Sequence, residues 1–146
     1  EITGRLHERF PNVTALDLPD AGLRTGWQSL RGARFLHADA QHLPFPDNCF
    51  DTLVSVEVLE HLPLPEAALR EYARASRRNL VLSVPREPLF RGGNLCAGRH
   101  LRALGNTPGH LNHWSARAFT RFVAQVGQVR AVAKPLPWTI AWVQLR

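Results

Sequence analysis

"PFPDNCFDTLVSVEVLEHLP", residues 44–63, decides the fold. Pro44, Pro46 and the Asp47-Asn48 pair are turn formers, so the stretch opens as a loop. "DTLVSVEV" follows, apolar and β-branched enough to read as a strand buried on both faces. The strand runs at once into Glu57, Glu60 and His61, and Pro65 then stands where the first turn of a helix tolerates proline. A strand, a polar cluster at its carboxyl end and a helix make one βα unit of a parallel sheet.

The flanking sequence repeats the pattern. "EITGRLHERF" places Ile2, Leu6 and Phe10 four residues apart, a helical rhythm ended by Pro11. "NVTALDLP" is a short β-rich run closing on Asp17. "AGLRTGWQSLRG" reads as a weaker helix, diluted by Gly22, Gly26 and Gly32. "ARFLHADA" is a second strand, ending near Asp39. After Pro65, the residues Leu69, Tyr72, Ala73 and Ser76 form the inner stripe of a helix on which Glu66 can pair with Arg70. "NLVLSVP" is a fourth strand. Residues 86–114 carry little periodicity and read as a long loop with short helical pieces. Ser115 caps a helix with Ala116, Phe119, Phe122, Val123 and Val126 on one face. "QVRAVAKPL" and "WTIAWVQLR" close the chain as a hairpin. The expected fold is a Rossmann-like, doubly wound α/β sheet, mostly parallel with an antiparallel strand at its C-terminal end. In such sheets ligands bind at the carboxyl ends of the strands, where Asp17, Asp39 and Glu57 fall.

Composition narrows the function classes. The 146 residues are 45% apolar, enough for one domain with a real core. No apolar run approaches the ~20 residues of a membrane span, and the first residues lack the succession of regions that marks a signal peptide. Cys49 and Cys96 stand alone, without CxxC spacing, so neither a disulfide framework nor a zinc site is indicated. A cytoplasmic protein is expected. The net charge of +6 hides a division. Residues 1–69 hold ten acids and five arginines, a net −5, whereas residues 70–146 hold two acids, twelve arginines and Lys134, a net +11. Arg70, Arg74, Arg77, Arg78, Arg86, Arg91, Arg99 and Arg102 form a belt that suits an anionic acceptor, a nucleic acid or an acidic surface. It equally suits a solvated face in an arginine-rich proteome, and no nucleic-acid motif accompanies it.

Each candidate residue has two readings. Asp17 offers two acceptor oxygens to a ribose diol, or is a turn acid. Asp39 accepts from an adenine amine while the Ala40 N–H meets a ring nitrogen, or it is a turn aspartate. Glu57 places a carboxylate near a cationic ligand group. Glu57, Glu60 and His61 have the i, i+3, i+4 spacing of a metal motif, but no third firm ligand is evident and no metal is expected. His61 is the candidate general base, against a helix-start histidine. His110, His113 and Trp114 in "PGHLNHWS" face an acceptor, or dock a loop before the Ser115 cap. Trp138 and Trp142 read as core or rim aromatics.

"FLHADAQHLPFPDNCFDTLVSVEVLEHLPLPEAALREYAR" resembles the class I S-adenosylmethionine-dependent methyltransferases, and within them the ubiquinone/menaquinone-biosynthesis type. "GHLNHWSARAFTRFVAQV" adds to the likeness. The resemblance implies that Asp17 holds the ribose of S-adenosylmethionine, that Leu18 packs on its adenine, and that Asp39 and Ala40 contact the adenine edge. It also implies that Val56, Glu57 and Val58 line the methionine part. The activity implied is methyl transfer to a small-molecule or lipid-like acceptor, with residues 86–114 as a substrate lid. The strand order implied is 3-2-1-4-5-7-6. The family's first strand and glycine-rich loop have no counterpart here, so residues 1–146 are expected to be one methyltransferase domain whose natural chain is longer by roughly 40 residues or more, a βα unit and entry helix.

Two other classes fit parts of the pattern. A nucleotide oxidoreductase also places an acid after its second strand. The short-chain dehydrogenase version needs a tyrosine and a lysine four apart, and the only tyrosine and lysine are Tyr72 and Lys134. The second alternative is a non-catalytic methyltransferase-like module that binds nucleic acid through the arginine belt.

Overall fold

The structure is a computed structural model that describes residues 2–18 and 34–146. The helix expected over residues 21–32 lies outside the described residues. The chain divides into two compact units, Glu1–Pro44 and Phe45–Arg146.

In the first unit, α1 (Ile2–His7) precedes two short strands, β1 (Thr14–Asp17) and β2 (Arg34–His37). They pair in parallel, with Thr14 opposite Arg34 and Asp17 opposite His37. Parallel strands need a crossover connection rather than a tight turn, and the sequence between them supplies that length. Helix α1 stops at His7, so Phe10 stands beyond it and is exposed, as is Ile2.

The second unit is built on β3 (Phe50–Val56), α2 (Pro65–Ala75), β4 (Ser76–Pro85), α3 (Leu89–Cys96), α4 (Ala116–Val123), β5 (Gly127–Ala133) and β6 (Trp138–Leu145). Its sheet has the order β3-β4-β6-β5. β3 and β4 are parallel, and β6 runs antiparallel to both β4 and β5. Within the two sheets these neighbours reproduce the 3-2 and 4-5-7-6 parts of the expected order, and the mixed α/β character expected from the sequence is present.

β4 is an inner strand, and Leu80, Leu82 and Val84 are fully buried along it. Its neighbour β6 adds Thr139, Ala141 and Val143 to the same core. Helix α2 packs on β3 and β4 through Ala68, Leu69 and Tyr72, and the Ser55 hydroxyl donates to the Tyr72 hydroxyl at 3.3 Å. Pro65 sits at the start of α2, as its fixed φ and missing N–H allow. The ion pair on α2 joins Arg74 to Glu71 at 2.8 Å; Glu66 and Arg70 do not pair. Ser115 caps α4 by accepting from the Ala118 N–H at 3.2 Å. This puts Phe119, Phe122 and Val123 into the core against β5 and β6.

One expectation is corrected. β3 is not buried on both faces: Asp51, Thr52 and Val54 are exposed and Ser55 alone is buried. The physical reason is position. β3 stands at the edge of its sheet, paired with β4 on one side only among the described residues. An apolar, β-branched run dictates a strand, whereas its burial depends on how many neighbours it has.

Candidate functional site

The end of β3 is where the backbone leaves the sheet. Glu57 takes a left-handed conformation, φ 54°, uncommon for a residue with a Cβ. Its N–H still reaches the Ser83 carbonyl at 3.3 Å, so pairing with β4 persists to the point of departure. The turn directs the Glu57 carboxylate back over the sheet. Oε1 accepts from the Ser83 hydroxyl at 3.0 Å and Oε2 from the Trp138 indole N–H at 2.9 Å. Partial burial raises the Glu57 pKa, and these two donors offset part of that rise.

A 3-10 turn, Leu59–His61, follows. Leu59 is fully buried and Glu60 is 1% exposed. Both Glu60 carboxyl oxygens are buried and meet no N–H donor among the described residues, with the Glu57 carboxyl beside them. Burial, then the neighbouring Glu57 carboxylate, pushes the Glu60 pKa up to about 8. His61 stands at the surface with Nδ1 2.9 Å from the Gly109 carbonyl and Nε2 3.9 Å from Glu60 Oε1.

The loop before α4 is clamped onto this turn. The Leu111 and Asn112 N–H groups both donate to the Glu60 carbonyl, at 2.7 and 3.0 Å. The Asn112 side-chain amide donates to the carbonyls of Leu59 and Leu62, at 3.1 and 2.6 Å. Gly109 has φ +88°, and a Cβ there would lie 3.4 Å from His61 Nδ1, so glycine answers both the backbone and the close approach. His110 is thereby carried to His61, edge to face with ring centroids 4.8 Å apart, and stacks on Phe90 of α3 at 5.5 Å. Desolvation, then the nearby His61, lowers the His110 pKa, which favours the neutral ring.

The other candidates have plainer surroundings. His113 Nε2 lies 2.7 Å from Asn106 Oδ1, at the surface. Trp114 packs against Phe119 and Phe122, and its carbonyl accepts from the Glu87 N–H, so it docks the loop on the core. In the first unit, Asp17 is exposed at the end of β1. Its Oδ1 accepts from the Leu18 N–H at 2.8 Å, no bond to Oδ2 is made among the described residues, and Leu18 is 58% exposed beside it. Asp39 Oδ1 accepts from the Gln41 N–H at 2.9 Å, closing an Asx turn, and this bond lowers the Asp39 pKa. Half-buried Ala40 follows it in the turn. Of the arginine belt, Arg74 bonds Glu71, Asp47 and the Phe45 carbonyl. Arg77 and Arg78 pair with Asp51, and Arg91 bonds the Leu104 carbonyl.

Ser83, Gly109 and Asn112 did not stand out in the sequence, and Trp138 read there only as a core or rim aromatic. "HLNH" held the only signal, an asparagine between two histidines, and its partners lie on another element.

Residues 1–83 match a family model described as a methyltransferase domain. The chain belongs to that family. Within it the chain falls among the class I S-adenosylmethionine-dependent methyltransferases of the ubiquinone/menaquinone type. It is 37% identical over 88 residues to 2-methyl-6-phytyl-1,4-hydroquinone methyltransferase 1, chloroplastic, of Oryza sativa subsp. japonica, covering 58% of this chain and 27% of that one. It is 34% identical over 97 residues to the ubiquinone/menaquinone biosynthesis C-methyltransferase UbiE of Citrobacter koseri, covering 58% and 39%. The chain therefore spans well under half the length of these curated relatives. The fold matches magnesium protoporphyrin IX methyltransferase of Synechocystis, solved with S-adenosylhomocysteine bound, with a TM-score of 0.66 at 16% identity, over 99% of this chain and 69% of that one. The cofactor of the family is S-adenosylmethionine. Among the described residues, no helix is long and apolar enough to cross a membrane.

Proposed function

We propose that the protein transfers a methyl group from S-adenosylmethionine to a small, hydroquinone-like or lipid-like acceptor. The observation that carries this reading is the family match over residues 1–83, which includes the strand ends bearing Asp17, Asp39 and Glu57. The relatives named for hydroquinone, quinone and fatty-acid methylation support the acceptor class.

The residues present suit the cofactor. Asp17 is exposed, with Oδ2 unbonded among the described residues and suited to the ribose diol, and exposed Leu18 offers an apolar face to the adenine. Asp39 and Ala40 sit in a turn where the adenine edge would be read. Glu57 and Val58 stand at the exit of β3, where Glu57 presents negative charge on a carboxylate held by Ser83 and Trp138. When bound, S-adenosylmethionine supplies a methyl group on a sulfonium sulfur, open to in-line displacement. The protein's part is to position the acceptor and to take a proton where the acceptor must lose one. His61 and His110 are the groups for that part, and residues 86–114 set acceptor choice. Four arginines of the belt are tied to their own chain, which weakens the case for a nucleic-acid-binding module. Two free cysteines agree with a cytoplasmic site of action.

Calorimetric titration of S-adenosylhomocysteine into the protein expressed from its gene's own start codon tests the proposal. Saturable binding that weakens at least ~10-fold in Asp17→Ala is expected, because a charged hydrogen-bond partner is worth ~1.5–3 kcal/mol. Absence of binding would overturn the reading.

A further inference from the structure

We propose that Glu60, His61 and His110 form a binding site for one divalent cation of the zinc type. The site stands independently of the methyl-transfer reading. Each residue offers one ligand atom, and the three atoms lie within 4.8 Å of one another.

Three observations carry it. The first is Glu60, 1% exposed, whose buried carboxyl oxygens meet no N–H donor among the described residues and have only the Glu57 carboxyl beside them. Native structures rarely leave a buried polar group without a partner, and an ion is one of the few explanations. The second is the orientation of His61. A carbonyl only accepts, so Nδ1 must donate to Gly109, and a neutral ring so held carries its lone pair on Nε2, the atom 3.9 Å from Glu60 Oε1. Metal-ligating histidines are oriented in this way, with the far nitrogen donating to a carbonyl or carboxylate. The third is the clamp. Asn112 and the Leu111 N–H fix the far loop on the Glu60 turn, and the Phe90 stack holds His110 beside His61. The third ligand that the sequence spacing lacked is brought there by the fold.

The donor set is two imidazoles and one carboxylate. Zinc bound at ~2.0–2.1 Å in tetrahedral geometry places its ligands roughly 3.3–3.5 Å apart. The His61–Glu60 separation of 3.9 Å is close to that, and all three ligand atoms already lie within 4.8 Å of one another. Two histidines and a carboxylate are also the set of catalytic zinc sites, where the fourth position stays open to a water or substrate oxygen. With its Nε2 lone pair on the cation, His61 would not be a free base, so its proton-accepting role belongs to the cation-free protein.

The test uses the intact protein, stripped with a chelator and titrated with zinc chloride by calorimetry and with cobalt(II) by visible absorption. One equivalent is expected to bind, with d–d bands of nitrogen and oxygen ligation and no thiolate charge-transfer band. Glu60→Gln and His110→Gln should each weaken binding at least ~10-fold, whereas Cys49→Ser with Cys96→Ser leaves it unchanged. Zinc should raise the melting temperature of the wild type but not of Glu60→Gln. If Glu60→Gln does not fold, the His110→Gln titration decides. No binding, or binding indifferent to Glu60 and His110, would overturn the proposal and leave the trio as a loop-docking cluster.

Discussion

Glu60 joins two facts that sit badly together in one side chain: it is 1% exposed, and it carries an ionisable group. Its folded pKa is about 8, against an ordinary value of 4.5. Between those limits the folded protein keeps the proton and the unfolded chain has released it. Stability is therefore full below about pH 4.5 and declines as pH rises toward 8. A tenfold preference for the protonated form is worth ~1.4 kcal/mol, so the decline amounts to roughly a few kcal/mol. Glu60→Gln keeps the shape and removes the titration. In chelator-treated protein, the urea midpoint of the wild type should fall from pH 5 to pH 8 while that of Glu60→Gln stays nearly level. Parallel midpoints for the two proteins would mean that Glu60 does not govern this window. Nothing in "EVLEHL" announces this behaviour, because it comes from burial and from Glu57 folding back over the sheet.

At the scale of elements, the sequence is legible where local chemistry decides. Pro65 at a helix start, Ser115 at a cap and the closing β5–β6 hairpin follow from side chains acting on their own backbone. The departures arise where distant residues decide. β3 carries the β-branched run of a buried strand yet lies at a sheet edge among the described residues, and of the two readings the sequence left for Trp114, Phe119 and Phe122 opposite it decide for docking. Likewise, the approach of His110 to His61 depends on the Asn112 clamp, which no spacing rule encodes. Helix α4 allows the two kinds of determinant to be compared. Ser115→Ala removes one capping bond and should cost ~1 kcal/mol. Phe119→Ala empties a fully buried site and should cost ~3–5 kcal/mol. Denaturant unfolding of both variants checks the ratio. Equal losses would place the weight of α4 in its cap rather than in its packing.

For the molecule as a whole, the division of charge is the feature that sequence alone reads two ways. A net +11 over residues 70–146 looks like an electrostatic footprint. The fold uses part of it internally, since Arg74, Arg77 and Arg78 pair with Asp47 and Asp51 of the acidic half and with Glu71 of their own segment. Among the described residues, Arg70, Arg99 and Arg102 remain the exposed belt arginines outside any ion pair. A duplex that used the belt would gain about three phosphate contacts from it, each contributing ~0.9 to the slope of log affinity against log salt. Fluorescence anisotropy with a non-specific duplex, at several salt concentrations, should therefore show weak binding. Replacing Arg99 and Arg102 by alanine should lower the slope by about 2. Arg74→Ala should leave the slope unchanged and instead lower the melting temperature, since its guanidinium joins α2 to Asp47 and the Phe45 carbonyl. A steep slope to which Arg74 contributes as much as Arg99 would mean that these ion pairs open on binding. The belt would then be a nucleic-acid surface after all.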